Sequence, residues 1–91
     1  MEIELDGGEK AEVCTFEGHI LTFLSPRAFA SGAPIGFAVV VGDHRRAFEG
    51  RCVSARRVED GRFKVRVRLV NLRRDARRAL GEAVRLRDRA R

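Results

Sequence analysis

Cys14, His19, His44 and Cys52 are the side chains of this sequence best suited to hold zinc, which thiolate and imidazole bind well. Their spacing argues against such a site, because no two of them form the short paired motif that lets one turn present two ligands. Asp43-His44, taken with Ser31 or Ser54, supplies the residue types of an activated hydroxyl nucleophile. Neither serine sits in a nucleophile elbow, and an adjacent Asp and His on one turn need not orient as a base and its support. No catalytic residue and no metal ligand follows from these residues. Arginine is the chemistry that remains: Arg51, Arg57, Lys64, Arg66, Arg68, Arg73, Arg74, Arg77 and Arg78 are the candidates for a basic contact surface. A guanidinium presents a planar fork of donors to carboxylate or phosphate.

These cations fall in one half of the chain. Residues 1–44 contain seven acidic and two basic residues, a net −5, whereas residues 45–91 contain six and seventeen, a net +11. An asymmetry of this size suggests attraction to nucleic acid, anionic lipid or an acidic protein patch. The alternative, that a run of arginines only solvates an outer face, stays open at this point. Arg27 stands alone in the acidic half, and together with Phe29 it is a candidate loop contact, or else the partner of an acidic neighbour.

The elements that position these residues follow from hydrophobic period. In RFKVRVRLVNLRRDARRAL, Phe63, Val65, Val67 and Leu69 alternate with Lys64, Arg66 and Arg68, which predicts a half-buried strand with a basic outer face. Leu72, Ala76, Ala79, Leu80, Ala83 and Val84 then recur at helical spacing, so a helix is expected over 73–90 with Asn71 as its N-cap. Two short strands are expected over 11–16 and 19–24, turning at Glu17-Gly18. Pro34 to Val41 reads as a strand buried on both faces, followed by a turn at Gly42-Asp43-His44. Arg45 to Val58 reads as a longer strand whose broken alternation calls for a bulge near Gly50. Residues 1–10 read as an edge strand or a loose end.

The fold class is therefore mainly β, a small antiparallel barrel of five or six strands with one C-terminal helix, in a single domain spanning 1–91 with barrel strands over 11–72. Two cysteines are too few for a secreted disulfide framework, and MEIELDGGEK has no apolar signal segment. The expectation is a cytoplasmic chain with both thiols reduced and packed in the core.

The phrases SPRAFASGAPIGFAVVV, AFEGRCVSARRVEDGRFKVRVRLVNL and the helical RRAL resemble PilZ domains across roughly residues 11–84. That resemblance implies a six-stranded barrel with a C-terminal helix in a bacterial regulator. PilZ domains bind cyclic di-GMP through an RxxxR arm and a (D/N)xSxxG motif. No RxxxR precedes the barrel, where that arm would stand, since the only basic residue before Arg27 is Lys10, and Cys14, Phe16 and His19 stand where the second motif's Asp or Asn, Ser and Gly would be. No cofactor is expected at those positions. The resemblance implies a non-enzymatic regulatory or adaptor domain in motility or surface-attachment signalling, acting by protein contacts. A cyclic di-GMP receptor with a non-standard site and a basic nucleic-acid-binding barrel are the alternatives.

Overall fold

The computed structural model describes residues 1–41 and 43–89. Six strands, β1 (Glu2–Leu5), β2 (Lys10–Glu17), β3 (Ile20–Ser25), β4 (Pro34–Val41), β5 (His44–Arg57) and β6 (Phe63–Val70), precede a helix, α1 (Arg74–Arg89). The strands close into an antiparallel barrel in the order β1-β2-β3-β6-β5-β4. Residues 1–10 are thus neither an edge nor a loose end: β1 pairs with β2 on one side and with β4 on the other. Sequence alone understates β1, because its apolar content is only Ile3 and Leu5. Both are buried in the core that the closed ring surrounds.

Closure gives every strand one inward and one outward face. Ile3, Leu5, Ala11, Val13, Leu21, Phe23, Ile35, Phe37, Val39, Cys52, Val65, Val67 and Leu69 form the interior, and Leu80 and Val84 of α1 join the same cluster. The connections β1–β2, β3–β4 and β5–β6 lie at one end of the barrel. The connections β2–β3, β4–β5 and β6–α1 lie at the other, so α1 covers the second mouth, packing against β2. Of β4, Ile35, Phe37, Ala38 and Val39 are buried but Val40 is 67% exposed, so this strand is not enclosed on both faces as its composition suggests.

Two irregularities shift the alternation. The β2–β3 register slips between Val13 and Thr15, which sets Cys14 on a bulge where it is half-buried instead of in the core. The β5–β6 register slips between Cys52 and Ser54, not near Gly50. Gly50 has a different job: a Cβ there would stand 2.5 Å from the Arg68 carbonyl oxygen and 2.6 Å from Val67 Cγ1. Glycine lets β5 and β6 approach closely just before the bulge.

The entry into α1 also departs from expectation. Asn71 adopts φ 53°, a left-handed turn that asparagine tolerates, and its Nδ2 donates to Glu49 Oε1 at 3.2 Å. It is a reversal point, not a cap, and the helix begins three residues later. Arg46 near the start of β5 meets Asp75 in the first turn of α1 at 3.6 Å. The expected turn at Gly42 and the last residue of the expected helix, Ala90, lie outside the described residues. Asp43 itself is in a turn.

At the first mouth, the β3–β4 loop is tied down. Arg27 Nε donates to Glu9 Oε2 at 2.6 Å, and its guanidinium lies 4.4 Å from the Phe29 ring centroid. Ser25 Oγ accepts from the Arg27 amide and donates to its carbonyl. Phe29 packs against the core. On the outer face of β1, Arg45 and Lys10 both donate to Glu4, and the Arg45 guanidinium foremost, with Lys10 after it, holds the Glu4 carboxyl below the ordinary carboxylate range.

Two outcomes follow from this packing. Gly50→Ala is expected to destabilise the fold by about 1–3 kcal/mol through overpacking against β6, as measured by chemical denaturation. Because the Glu4 pKa is lowered in the native state, its contribution is present above the ordinary carboxylate range and fades as the pH falls through its native value. A carboxyl-resonance titration should show Glu4 moving up toward the ordinary range in Arg45→Ala.

Candidate docking face

The outer surface of β3, β6 and β5 is where closure brings the sequence's cations together. The registers place Leu24, Lys64 and Arg56 in one rank across the three strands. Thr22, Arg66 and Ser54 form the second rank, and Ile20, Arg68 and Arg51 the third. All three β6 members are exposed, since the inward positions Val65, Val67 and Leu69 fill the core. Ile20 and Leu24 are half-buried on the outer side of β3, where the long aliphatic stems of β6 can cover them.

Two cross-strand neighbours in this grid are like-charged, Arg56 opposite Lys64 and Arg51 opposite Arg68. Such pairs are destabilising by roughly 0.2–1 kcal/mol each. Among the described residues none of Arg56, Lys64, Arg66 and Arg68 has an ion pair. Arg51 donates to the Gly32 carbonyl at 3.1 Å, a neutral acceptor. The ion pairs instead include Glu4 with Lys10 and Arg45, Glu9 with Arg27, and Asp75 with Arg46. In the ring order β1 is the strand opposite β6, so the compensated acidic strand and the uncompensated basic one occupy opposite sides of the barrel.

The structure divides the residues that sequence grouped as one surface. Arg51, Lys64, Arg66 and Arg68 share the outer face. Arg57 does not: it pairs with Phe63 at the end of the ladder, beyond the bulge. The bulge turns Arg56 outward in its place, and Arg56 is the member that sequence reasoning missed. The broken alternation around Val53 is the signal that can locate it. Arg74, Arg77 and Arg78 lie apart, lining a groove between α1 and the Thr15–Gly18 end of β2, where Arg77 Nε donates to the Gly18 carbonyl at 3.2 Å. Arg73 borders another groove, which it shares with Arg51 and Glu49. Arg27 and Phe29 are engaged with Glu9, with each other and with the core.

The residues weighed for metal or nucleophilic chemistry are dispersed. Cys14 lies on the β2 bulge, Cys52 inside the barrel, His19 in the β2–β3 turn and His44 at the start of β5. Among the described residues no three His, Cys, Asp or Glu side chains come close enough to hold a metal ion. Ser31 Oγ donates to the Val53 carbonyl at the far end of the barrel from Asp43 and His44. Of the family-motif positions, Cys14 borders a groove with Lys64 and Arg66, Phe16 packs on the core, and His19 is exposed. All six phenylalanines are buried or half-buried and none lies on the outer face of β3, β6 and β5, whereas Phe16 and Phe48 border the grooves that hold Arg77 and Arg73.

No protein-family model, no curated protein and no solved structure matches the chain. No helix among the described residues is long and apolar enough to cross a membrane. The class defined by the fold is a closed six-stranded antiparallel barrel with a C-terminal helix.

The two thiols should differ in reactivity. Cys52 is 3% exposed and burial pushes its thiol up, whereas Cys14 is half-buried at the surface. A thiol reagent at neutral pH is expected to label Cys14 rapidly and Cys52 only on unfolding. Mass spectrometry of the quenched reaction checks the order, and equal rates would contradict it.

Proposed function

We propose that this chain is a non-enzymatic adaptor or regulatory module that docks an acidic protein surface on the outer face of β3, β6 and β5. The observation that carries the reading is the uncompensated basic column Lys64, Arg66 and Arg68, flanked by Arg51 and Arg56. Like charges set side by side destabilise the free protein slightly, and an anionic partner relieves that repulsion as it binds. Apolar neighbours add contact area: Ile20 and Leu24 are half-buried beside the column, and Val53 and Val70 are exposed on β5 and β6. A mixed apolar and arginine-rich surface suits a protein interface.

The PilZ-like reading is part of the proposal. It is supported by the six-stranded closed barrel with its C-terminal helix and by the wording of β4 to β6. On that reading the module works in the bacterial cytoplasm, in motility or surface-attachment signalling, without cyclic di-GMP. The residues at the motif positions lack the needed chemistry: a thiol on a bulge, a core-packed ring and a turn imidazole replace the expected polar and glycine positions. Nucleic-acid binding is the second reading, favoured by the same unpaired cations and weakened by the lack of an exposed ring.

Three titrations separate these readings. Calorimetry with cyclic di-GMP is expected to show no binding, and a micromolar Kd at moderate salt would overturn the degenerate-site argument. Polyglutamate is expected to bind, with Arg66→Glu/Arg68→Glu abolishing it and Arg74→Glu/Arg78→Glu largely sparing it. If a charge-matched oligothymidylate binds more tightly than polyglutamate, with a steeper log-log salt slope, the nucleic-acid reading replaces the adaptor reading.

A further inference from the structure

We infer that the segment docked on this face is an extended acidic strand with carboxylates at alternate positions, an inference that rests on the docking reading above. The cations of β6 repeat every second residue, a spacing of about 6.8 Å along an antiparallel strand. An extended peptide lying along β6 presents every second side chain toward the barrel at the same spacing. Three carboxylates in alternation therefore stand opposite Lys64, Arg66 and Arg68 in register. An acidic helix repeats at about 5.4 Å per turn, so its charges drift out of step over three positions.

The surroundings of the column match an extended backbone better than a helical one. A helix satisfies its own amide and carbonyl groups, whereas an extended segment leaves them to water and to polar side chains beside it. Ser54, directly beside Arg66 in the central rank, is exposed, and its hydroxyl makes no hydrogen bond among the described residues. On the other side of the column a groove of about 360 Å³ runs over β3. Ile20 and Thr22 line it, with Lys64 and Arg66 on one side and Cys14, Thr15 and Glu17 on the other. Glu17 opposes acid there and keeps the carboxylates on the β6 side. A phosphate chain would meet the same cations, yet the face offers no exposed ring for its bases.

The test uses the intact protein and two fluorescent octapeptides of equal composition, one alternating Glu with Thr and one carrying its Glu residues in a single block. Anisotropy at physiological salt is expected to give about tenfold tighter binding for the alternating peptide. Arg66→Gln should erase the preference. Backbone amide shifts on the unmodified protein should map to residues 64–68 and Ser54, which locates the site even if the variant folds poorly, and the two-peptide comparison on the unmodified protein tests the alternation. Equal affinities would overturn the inference, as would shifts confined to α1. A charge-matched oligothymidylate binding more tightly than either peptide would overturn it in favour of nucleic acid. If polyglutamate binds the basic face but the two peptides are indistinguishable, the periodicity fails while the docking reading stands. If polyglutamate itself ignores that face, the docking reading fails with it.

Discussion

The pairing of β1 with both β2 and β4 turns a curved sheet into a ring, and the rest of the structure depends on that closure. A closed ring has no edge strand, which limits strand addition, a common way for sheets to recruit partners, although β4 pairs with the short β1 only at Phe37 and Ala38. Closure also forces each strand to choose one face for the interior. In a chain this rich in charge, that choice drives the polar positions of the alternating strands outward together. Cross-strand register then decides which charges become neighbours.

Two bulges adjust that choice locally. At Val53 the extra residue lets Cys52 stay inside while Arg56, four positions on, points outward beside Lys64. Without the slip Ala55 would stand opposite Lys64, and Arg56 would take the inward parity opposite Phe63. At Cys14 the same device lets Val13 and Phe16 both face the core, one toward the barrel interior and one toward α1, and leaves the thiol at the surface. The bulges are therefore part of how the outer face is built, because a single inserted residue exchanges the inward and outward sets beyond it.

Charge is distributed by position in the fold as well as by sequence half. Much of the acidic half is consumed internally: Glu4 is held by two cations, and Glu9 holds the loop that carries Arg27 and Phe29. Arg46 and Asp75 tie the second mouth to the helix. These contacts place carboxylates where they fasten turns and strands, and among the described residues Arg56, Lys64, Arg66 and Arg68 have no ion pair. Surface ion pairs of this kind contribute little each. Their larger consequence is that the cations of β6 stand apart from the acidic residues of β1, with a second group of arginines along α1.

The sequence by itself determined the local features. The alternation of Phe63 to Leu69 set β6 and the outward placement of Lys64, Arg66 and Arg68, and the spacing of Leu72 to Val84 set the amphipathic helix. Both signals repeat within one segment, so no knowledge of neighbours is needed to read them. Only the tertiary structure decided that β1 closes the ring, that the β5 bulge falls at Val53, that Asn71 reverses the chain instead of capping α1, and that Arg27 and Phe29 are fastened to the fold. These depend on pairing between residues far apart in the chain. A period fixes which face a side chain takes, but only register fixes what stands beside it, and the basic face consists of neighbours drawn from three strands.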